Sequence, residues 1–267
     1  MKVGFIGLGN MAGAIIRGLR KAESLGDAQI SGCDIDKEKE REFSRHSGVL
    51  LPGGPVDVAR QSDTLVLAVK PQQMEELLRD IKPEMRDGLL VISLAPGKKH
   101  DYYADHLGGN IPVILSMPNI NAKIGASVTA LCPNGRVTPE MLEDAKAVFT
   151  AVGSVTVIAA DKMTIFSALG GAAPAFVYMF IDALATAGVK YGMPRGMAQQ
   201  VACDMLEGSA QAVRQSGEHP RAMMDQVTSP GGTTIEGVHR LAALGFEHAV
   251  HEAVRAVIEK TEKLEGK

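Results

Sequence analysis

The chain has 267 residues, 45% of them apolar and 22% charged, with 28 basic side chains against 31 acidic ones and a formal net charge of −3. That composition excludes a disordered, collagenous or fibrous chain and leaves one large domain or two small ones, able to bury about 73% of the unfolded surface without staples. No basic excess exists to hold nucleic acid or an anionic membrane, so neither is expected as a principal partner. In chain order, residues 2–6 form a short apolar run ending in a glycine turn, and 10–22 carry helical spacing. Residues 29–33 read as a second strand and 37–47 as a polar helix. A continuous apolar run, 64–69, ends at Lys70-Pro71; a helix follows over 72–81, a strand over 89–94 and another over 111–115. Strands over 127–131 and 154–158 flank a helix over 138–150, which has Thr138 as N-cap, Pro139 at its first position and Gly153 beyond its end. Short apolar runs alternating with helices predict a parallel sheet covered on both faces.

Beyond residue 160 strand signals vanish. Helices over 173–191 and 194–215 open at Pro174 and Pro194 and stop at Gly192 and Gly217. From Phe246 to Leu264 apolar side chains recur at i, i+3, i+4 and i+7. The 173–191 helix is apolar almost all round, with only Asp182 and Lys190 charged. Such a helix needs burial on every side, which in a domain of this size points to an intertwined dimer. The methionines of this half, Met193, Met197, Met205, Met223 and Met224 among them, read as gap-fillers of a core or dimer interface. Gly, Pro or charge interrupts each long apolar run, so no membrane-spanning helix is expected. The N-terminus lacks a charged n-region and cleavage site, so no signal peptide is expected. Cys33, Cys132 and Cys203 are scattered and form no C-x-x-C, which reads as a reduced, cytoplasmic protein with no zinc site. His248 and His251 stand beside Glu252 on the last helix, but no metal signature surrounds them and a solvated face is expected.

Three stretches carry chemistry. Gly7-Leu8-Gly9-Asn10-Met11-Ala12 follows the first strand and opens the first helix, the context a dinucleotide fingerprint requires. Gly7 suits the tight turn, Gly9 the approach of a pyrophosphate and Ala12 the close helix–strand packing. At the end of the second strand stand Asp34 and Asp36, 27 and 29 residues after Gly7, where an acid grips the ribose of NAD. Two carboxylates repel a 2′-phosphate and lean the cofactor toward NADH over NADPH. Lys37, Lys39 and Arg41 lie just beyond and could reach back to such a phosphate. Asp36 could equally cap the helix that begins at Lys37. Lys70, at a strand end, could meet ligand charge or simply keep its head in water. Ser229-Pro230-Gly231-Gly232-Thr233-Thr234 delivers unblocked N–H groups and three hydroxyls to a helix start, which suits either a carboxylate or ordinary capping. No Ser/His/Asp triad is visible.

Taken in order, Gly7 to Ala12, Ala68-Val69-Lys70-Pro71-Gln72, Ser116-Met117-Pro118-Asn119 and Ser229 to Glu236 resemble the pyrroline-5-carboxylate reductase family over nearly the whole chain. The resemblance implies an α/β fold: a Rossmann dinucleotide-binding domain over 1–160, then an all-helical dimerisation and substrate domain over 161–267. It implies reduction of the cyclic imine 1-pyrroline-5-carboxylate to L-proline with NADPH or NADH, in a homodimer; some members form rings of five dimers. It implies that Thr234 hydrogen-bonds the imine nitrogen. Gly232 and Thr233 would bind the carboxylate through N–H groups, with Gly231 also at the substrate; Ser229 would support that loop, and Gln226 would lie near substrate and cofactor. Gly7, Leu8, Gly9, Asn10, Met11, Ala12 and Asp34 would hold the cofactor's phosphates and ribose, with Ala68, Val69, Lys70, Pro71, Ala95 and Asn119 along its remainder. The chain departs from the family at Leu115, where Arg is common, and at Leu169 to Ala175, where two serines are lost. It departs again at Asp34-Ile35-Asp36, where NADPH users carry Asn-Arg-Ser. A related cyclic imine as substrate, or a dinucleotide-binding regulator without catalysis, are the alternative readings. A hydroxy-acid dehydrogenase needs a lysine in the first long helix after the Rossmann domain, and Lys162 and Lys190 flank that place without filling it.

Overall fold

The computed structural model describes residues 1–22 and 29–264; the side chains of Lys39 and Leu264 lie outside the described residues. The chain divides into two compact units, Met1–Gly171 with Ile258–Lys267, and Ala172–Val257. In the first unit the order is β1 (Lys2–Ile6), α1 (Asn10–Lys21), β2 (Gln29–Cys33), α2 (Lys37–Ser47), α3 (Pro55–Gln61), β3 (Thr64–Leu67), α4 (Met74–Ile81) and β4 (Leu90–Ser93). There follow α5 (His100–Leu107), β5 (Val113–Met117), β6 (Ser127–Pro133), α6 (Pro139–Thr150), β7 (Gly153–Val157) and α7 (Met163–Phe166). The sequence reading has no α3 or α5. Pro55 begins α3 at its first position, where its missing N–H costs nothing.

The seven strands lie in the order β2-β1-β3-β4-β5-β6-β7. β1 to β5 pair in parallel, while β6 pairs with β5 antiparallel and β7 follows β6 in parallel. The expectation of a wholly parallel sheet is therefore corrected at β6 and β7. Only a 3-10 turn, Ile120–Ile124, joins β5 to β6, and a parallel return needs a crossover of a dozen or more residues. From β6 to β7 that crossover exists as α6, and those strands are parallel.

Strand residues alternate between two covered faces. Val66 joins Phe5, Ile15, Ile92 and Phe149 under α1 and α6, whereas Leu65 and Leu67 join Leu78, Ile81 and Tyr103 under α4 and α5. This period of two with both faces buried is why the strands read as unbroken apolar runs. Truncating a buried anchor such as Phe149 to alanine is expected to cost about 3–5 kcal/mol.

The second unit is helical: α8 (Ala173–Lys190), α9 (Arg195–Ser216), α10 (Pro220–Gln226), α11 (Thr233–Ala243) and α12 (Phe246–Leu264), the last ending beyond the unit. α8 and α9 meet through small residues; a Cβ added at Gly188 would lie 2.9 Å from Ala198 Cβ. Their other faces are apolar and uncovered within the chain. Val177, Met179, Val189, Met197, Val201 and Met205 are exposed, Met179 by 77%. The expectation that no helix could span a membrane is also corrected. Helix runs over Ala160–Lys190, and by length and composition alone that run would suffice. Gly170, Gly171 and Pro174 do not break it, because Ser167–Ala172 form a π-helical turn and Pro174 sits in the first turn of α8.

Candidate active site

In an open α/β sheet ligands gather at the carboxyl ends of the strands, where the chain order reverses. Here β1 is flanked by β2 and β3, so the reversal lies between β1 and β3. Gly7 leaves β1 with φ +95°, and a Cβ there would lie 2.7 Å from the carbonyl oxygen of Ala68 at the end of β3. Only glycine satisfies both conditions. Gly9 is the N-cap of α1, and no side chain caps that end or places an acid in its first turn. A Cβ on Gly9 would meet no protein atom within 4 Å. The turn thus opens uncapped N–H groups and the positive end of a helix dipole onto free space, which fits a pyrophosphate. Ala12 is buried against the sheet.

The turn after β2 is tied to the glycine turn. Asp34 Oδ2 accepts the Leu8 N–H at 2.7 Å, and Asp34 Oδ1 accepts the Asp36 N–H at 3.1 Å. Asp36 Oδ1 accepts the Glu38 N–H at 3.1 Å, so Asp36 caps α2. Burial pushes the neighbouring Cys33 thiol up to about 12, so it adds no charge beside Asp34 at neutral pH.

Ala68 and Val69 are half-buried and Lys70 exposed as the chain leaves β3, and the Lys70 N–H reaches Gln73 Oε1 at 3.3 Å. Pro71 opens a short 3-10 turn. Ala95 follows β4, its N–H bonded to Ser93 Oγ at 3.1 Å. Asn119 follows β5 and is buried; its Oδ1 accepts the Asn121 N–H at 3.1 Å and its Nδ2 donates to the Gly170 carbonyl at 2.9 Å. Strand order therefore places Asp34, Gly7, Ala68, Ala95 and Asn119 on consecutive turns along one edge. Asn119 has both amide ends engaged and holds the π-helical turn. Gly170 itself lies under the Phe166 ring, where a Cβ would come within 2.7 Å, so a serine here would require the ring to shift. Leu115 is a buried strand residue opposite Cys132.

In the second unit Gln226 ends α10, and its Nε2 donates to Glu218 Oε2 at 2.7 Å. The chain then turns through Ser229, Pro230 and Gly231, with Gly231 at φ +68° and the Gly232 N–H on the Ser229 carbonyl at 3.0 Å. A Cβ on Gly232 would stand 2.4 Å from Ser229 Oγ. Gly232, not a threonine, is the N-cap of α11, and no side chain caps it. Thr233 and Thr234 occupy the first turn, exposed, and among the described residues neither hydroxyl has a hydrogen-bond partner. The capping alternative for these threonines is not the one the fold adopts. Sequence reasoning missed Glu40, a buried carboxylate within a polar helix; its only trace is the i, i+3 spacing from Lys37.

Residues 160–264 match the pyrroline-5-carboxylate reductase dimerisation family, and residues 2–97 match the NADP oxidoreductase, coenzyme F420-dependent family. The chain is 39% identical over 263 residues to the pyrroline-5-carboxylate reductase of Escherichia coli, covering 98% of each protein. It is 34% identical to that of Methanosarcina acetivorans, covering 98% of this chain and 97% of the relative. The 1-pyrroline-5-carboxylate reductase structure from Streptococcus pyogenes superposes with a TM-score of 0.87 at 33% identity, covering 98% of both chains. The Plasmodium falciparum pyrroline carboxylate reductase with NADP bound superposes with a TM-score of 0.86 at 28% identity, covering 99% of this chain and 98% of that one. A glycine turn open to a dinucleotide, an uncapped Ser-Pro-Gly-Gly-Thr-Thr turn and kinship along the whole length converge: this chain belongs to the pyrroline-5-carboxylate reductase family.

Proposed function

We propose that this protein reduces the C=N bond of 1-pyrroline-5-carboxylate to give L-proline, the closing step of proline biosynthesis. The observation that carries the reading is the uncapped start of α11, with Thr234 on its first turn and, among the described residues, no partner for its hydroxyl. The N–H groups at Gly232 and Thr233 suit a carboxylate, and Gly231 and Ser229 shape the turn. Gln226 stands at the near end of α10. Bound NAD(P)H supplies the hydride that the imine carbon accepts. The protonated imine is already electrophilic, so the chain's task is orientation rather than strong acid catalysis. Thr234 Oγ accepts the N–H of the iminium and holds the ring while its nitrogen becomes an amine.

In the same reading residues 1–160 bind the dinucleotide and 161–267 dimerise and bind substrate. Gly7, Leu8, Gly9, Asn10, Met11 and Ala12 hold the phosphates, and Asp34 the adenosine ribose. Ala68, Val69, Lys70, Pro71 and Ala95 follow the cofactor toward its nicotinamide. Asn119 acts through the π-helical turn that it anchors. The apolar faces of α8 and α9 pack against a second copy, so sedimentation velocity is expected to give a dimer or a ring of dimers. A monomer at micromolar concentration would sink that assignment. With Cys33 and Cys132 buried as free thiols, the cytoplasm suits the protein.

Asp34 and Asp36 favour NADH. Oxidation of each reduced cofactor with 1-pyrroline-5-carboxylate, followed by absorbance, is expected to give a KM for NADPH about ten-fold above that for NADH, a 1.4 kcal/mol difference. Equal KM values would remove the preference. No turnover with either cofactor would remove the substrate and point to another cyclic imine.

A further inference from the structure

Glu40 is 5% exposed, yet it sits in a polar helix whose other described side chains are mostly exposed. Its Oε2 takes two donors, the Asp34 N–H at 3.1 Å and the Lys37 ammonium at 2.6 Å. Lys37 Nζ also lies 3.4 Å from the Gly53 carbonyl, while its side chain remains 55% exposed. Lys37 opens α2 directly after Asp34-Ile35-Asp36, so it is the described cation nearest in sequence to that turn. We propose that Glu40 is a specificity-determining residue that discriminates against NADPH by holding Lys37 away from the 2′-phosphate.

The energetics make Glu40 a lock. A lysine that swung to a 2′-phosphate would leave a buried carboxylate with one neutral donor among the described residues; the ammonium end is half in solvent, so the cost is that of an exposed charge contact rather than of a fully buried pair. The cofactor phosphate would have to compete with Glu40 for the same ammonium. It would also meet Asp36, which already occupies the start of α2 through the Glu38 N–H. Glu40 has a second effect through the Asp34 N–H, because it fixes the turn that presents the Asp34 carboxylate. Glu40→Gln separates the two effects. The amide oxygen still accepts the Asp34 N–H, while the charge that restrains Lys37 is gone.

This inference rests on the reading that the turn after β2 receives the adenosine ribose. The test is therefore equilibrium binding of NADPH and of NADH, read by nicotinamide fluorescence without substrate, for wild type, Glu40→Gln, Lys37→Ala and the double variant. Glu40→Gln is expected to tighten NADPH about five-fold, the size of an exposed charge contact, and to leave NADH within two-fold. In the double variant the gain is expected to vanish, so that Lys37→Ala weakens NADPH more in the Glu40→Gln background than alone. Equal changes for both cofactors would mean that Glu40 only shapes the turn, and would overturn the proposal. So would a gain that survives loss of Lys37, or an unchanged NADPH affinity in folded Glu40→Gln protein. Should Glu40→Gln fail to fold, a loss of NADPH affinity in Lys37→Ala alone would show that the lysine is already available, and would overturn the proposal equally. Wild-type protein that binds neither dinucleotide would overturn the cofactor reading itself and this inference with it, an outcome distinct from the others.

Discussion

Replacing Thr234 with alanine is expected to lower kcat/KM for 1-pyrroline-5-carboxylate by about 100-fold, the scale of removing one hydrogen-bonding group from a reacting centre. The dissociation constant for NADH is expected to stay within two-fold, because the cofactor turns lie on β1 to β5 and Thr234 opens α11. Folding is not at stake. The side chain is exposed, caps nothing and has no hydrogen-bond partner among the described residues, so the stability change should stay within about 0.5 kcal/mol. Thr234→Ser, which keeps the hydroxyl, should recover most of the rate. A Thr234→Ala enzyme that turns over like wild type would remove the role assigned to this hydroxyl.

The second large effect separates two glycines of one turn. Gly7→Ala is expected to lose cofactor affinity and much stability, whereas Gly9→Ala should lose affinity with the smaller stability loss of a poorer cap. At Gly7 the backbone has φ +95° and the new methyl would press on the Ala68 carbonyl at 2.7 Å, so β1 and β3 must part at their ends. Backbone strain of this kind costs about 1–3 kcal/mol, before the steric contact is added. For a unit of this size that lowers Tm by roughly 2–4 °C per kcal/mol. At Gly9 the backbone is extended, with φ −69°, and the methyl would meet no protein atom. Its stability cost is only the poorer capping of alanine, about 1 kcal/mol. The methyl would occupy the space in front of the α1 N–H groups, and NADH affinity should fall at least about ten-fold. Normal NADH binding by Gly9→Ala would exclude that space as the pyrophosphate site. Thermal melts and cofactor titrations on the two variants decide both points.

Much of this was legible in the residues themselves. The glycine turn, the strand runs and the helix starts at Pro139, Pro174 and Pro194 are local events, set by backbone freedom, side-chain period and the missing proline N–H. Asp34 and Asp36 were legible as acids at a strand end. Capping of α2 by Asp36 was legible too, as an open alternative, but the clamp of Asp34 on the Leu8 N–H was not, since it joins positions 26 residues apart. The departure at residue 170 likewise found its neighbour only in three dimensions, where a Cβ would press on the Phe166 ring as it stands.

The sequence by itself determined the fold class and the order of a dinucleotide half and a helical half, which follow from short-range pattern that one chain displays without folding; the motifs spread along it carried the resemblance to the family. Only the tertiary structure decided the reversed direction of β6 and β7, the use of Asn119 as an anchor, and the burial of Glu40 against Lys37. These depend on contacts between residues that the sequence leaves apart or assigns to a solvated face, and on packing that decides which polar groups keep water and which must find a partner.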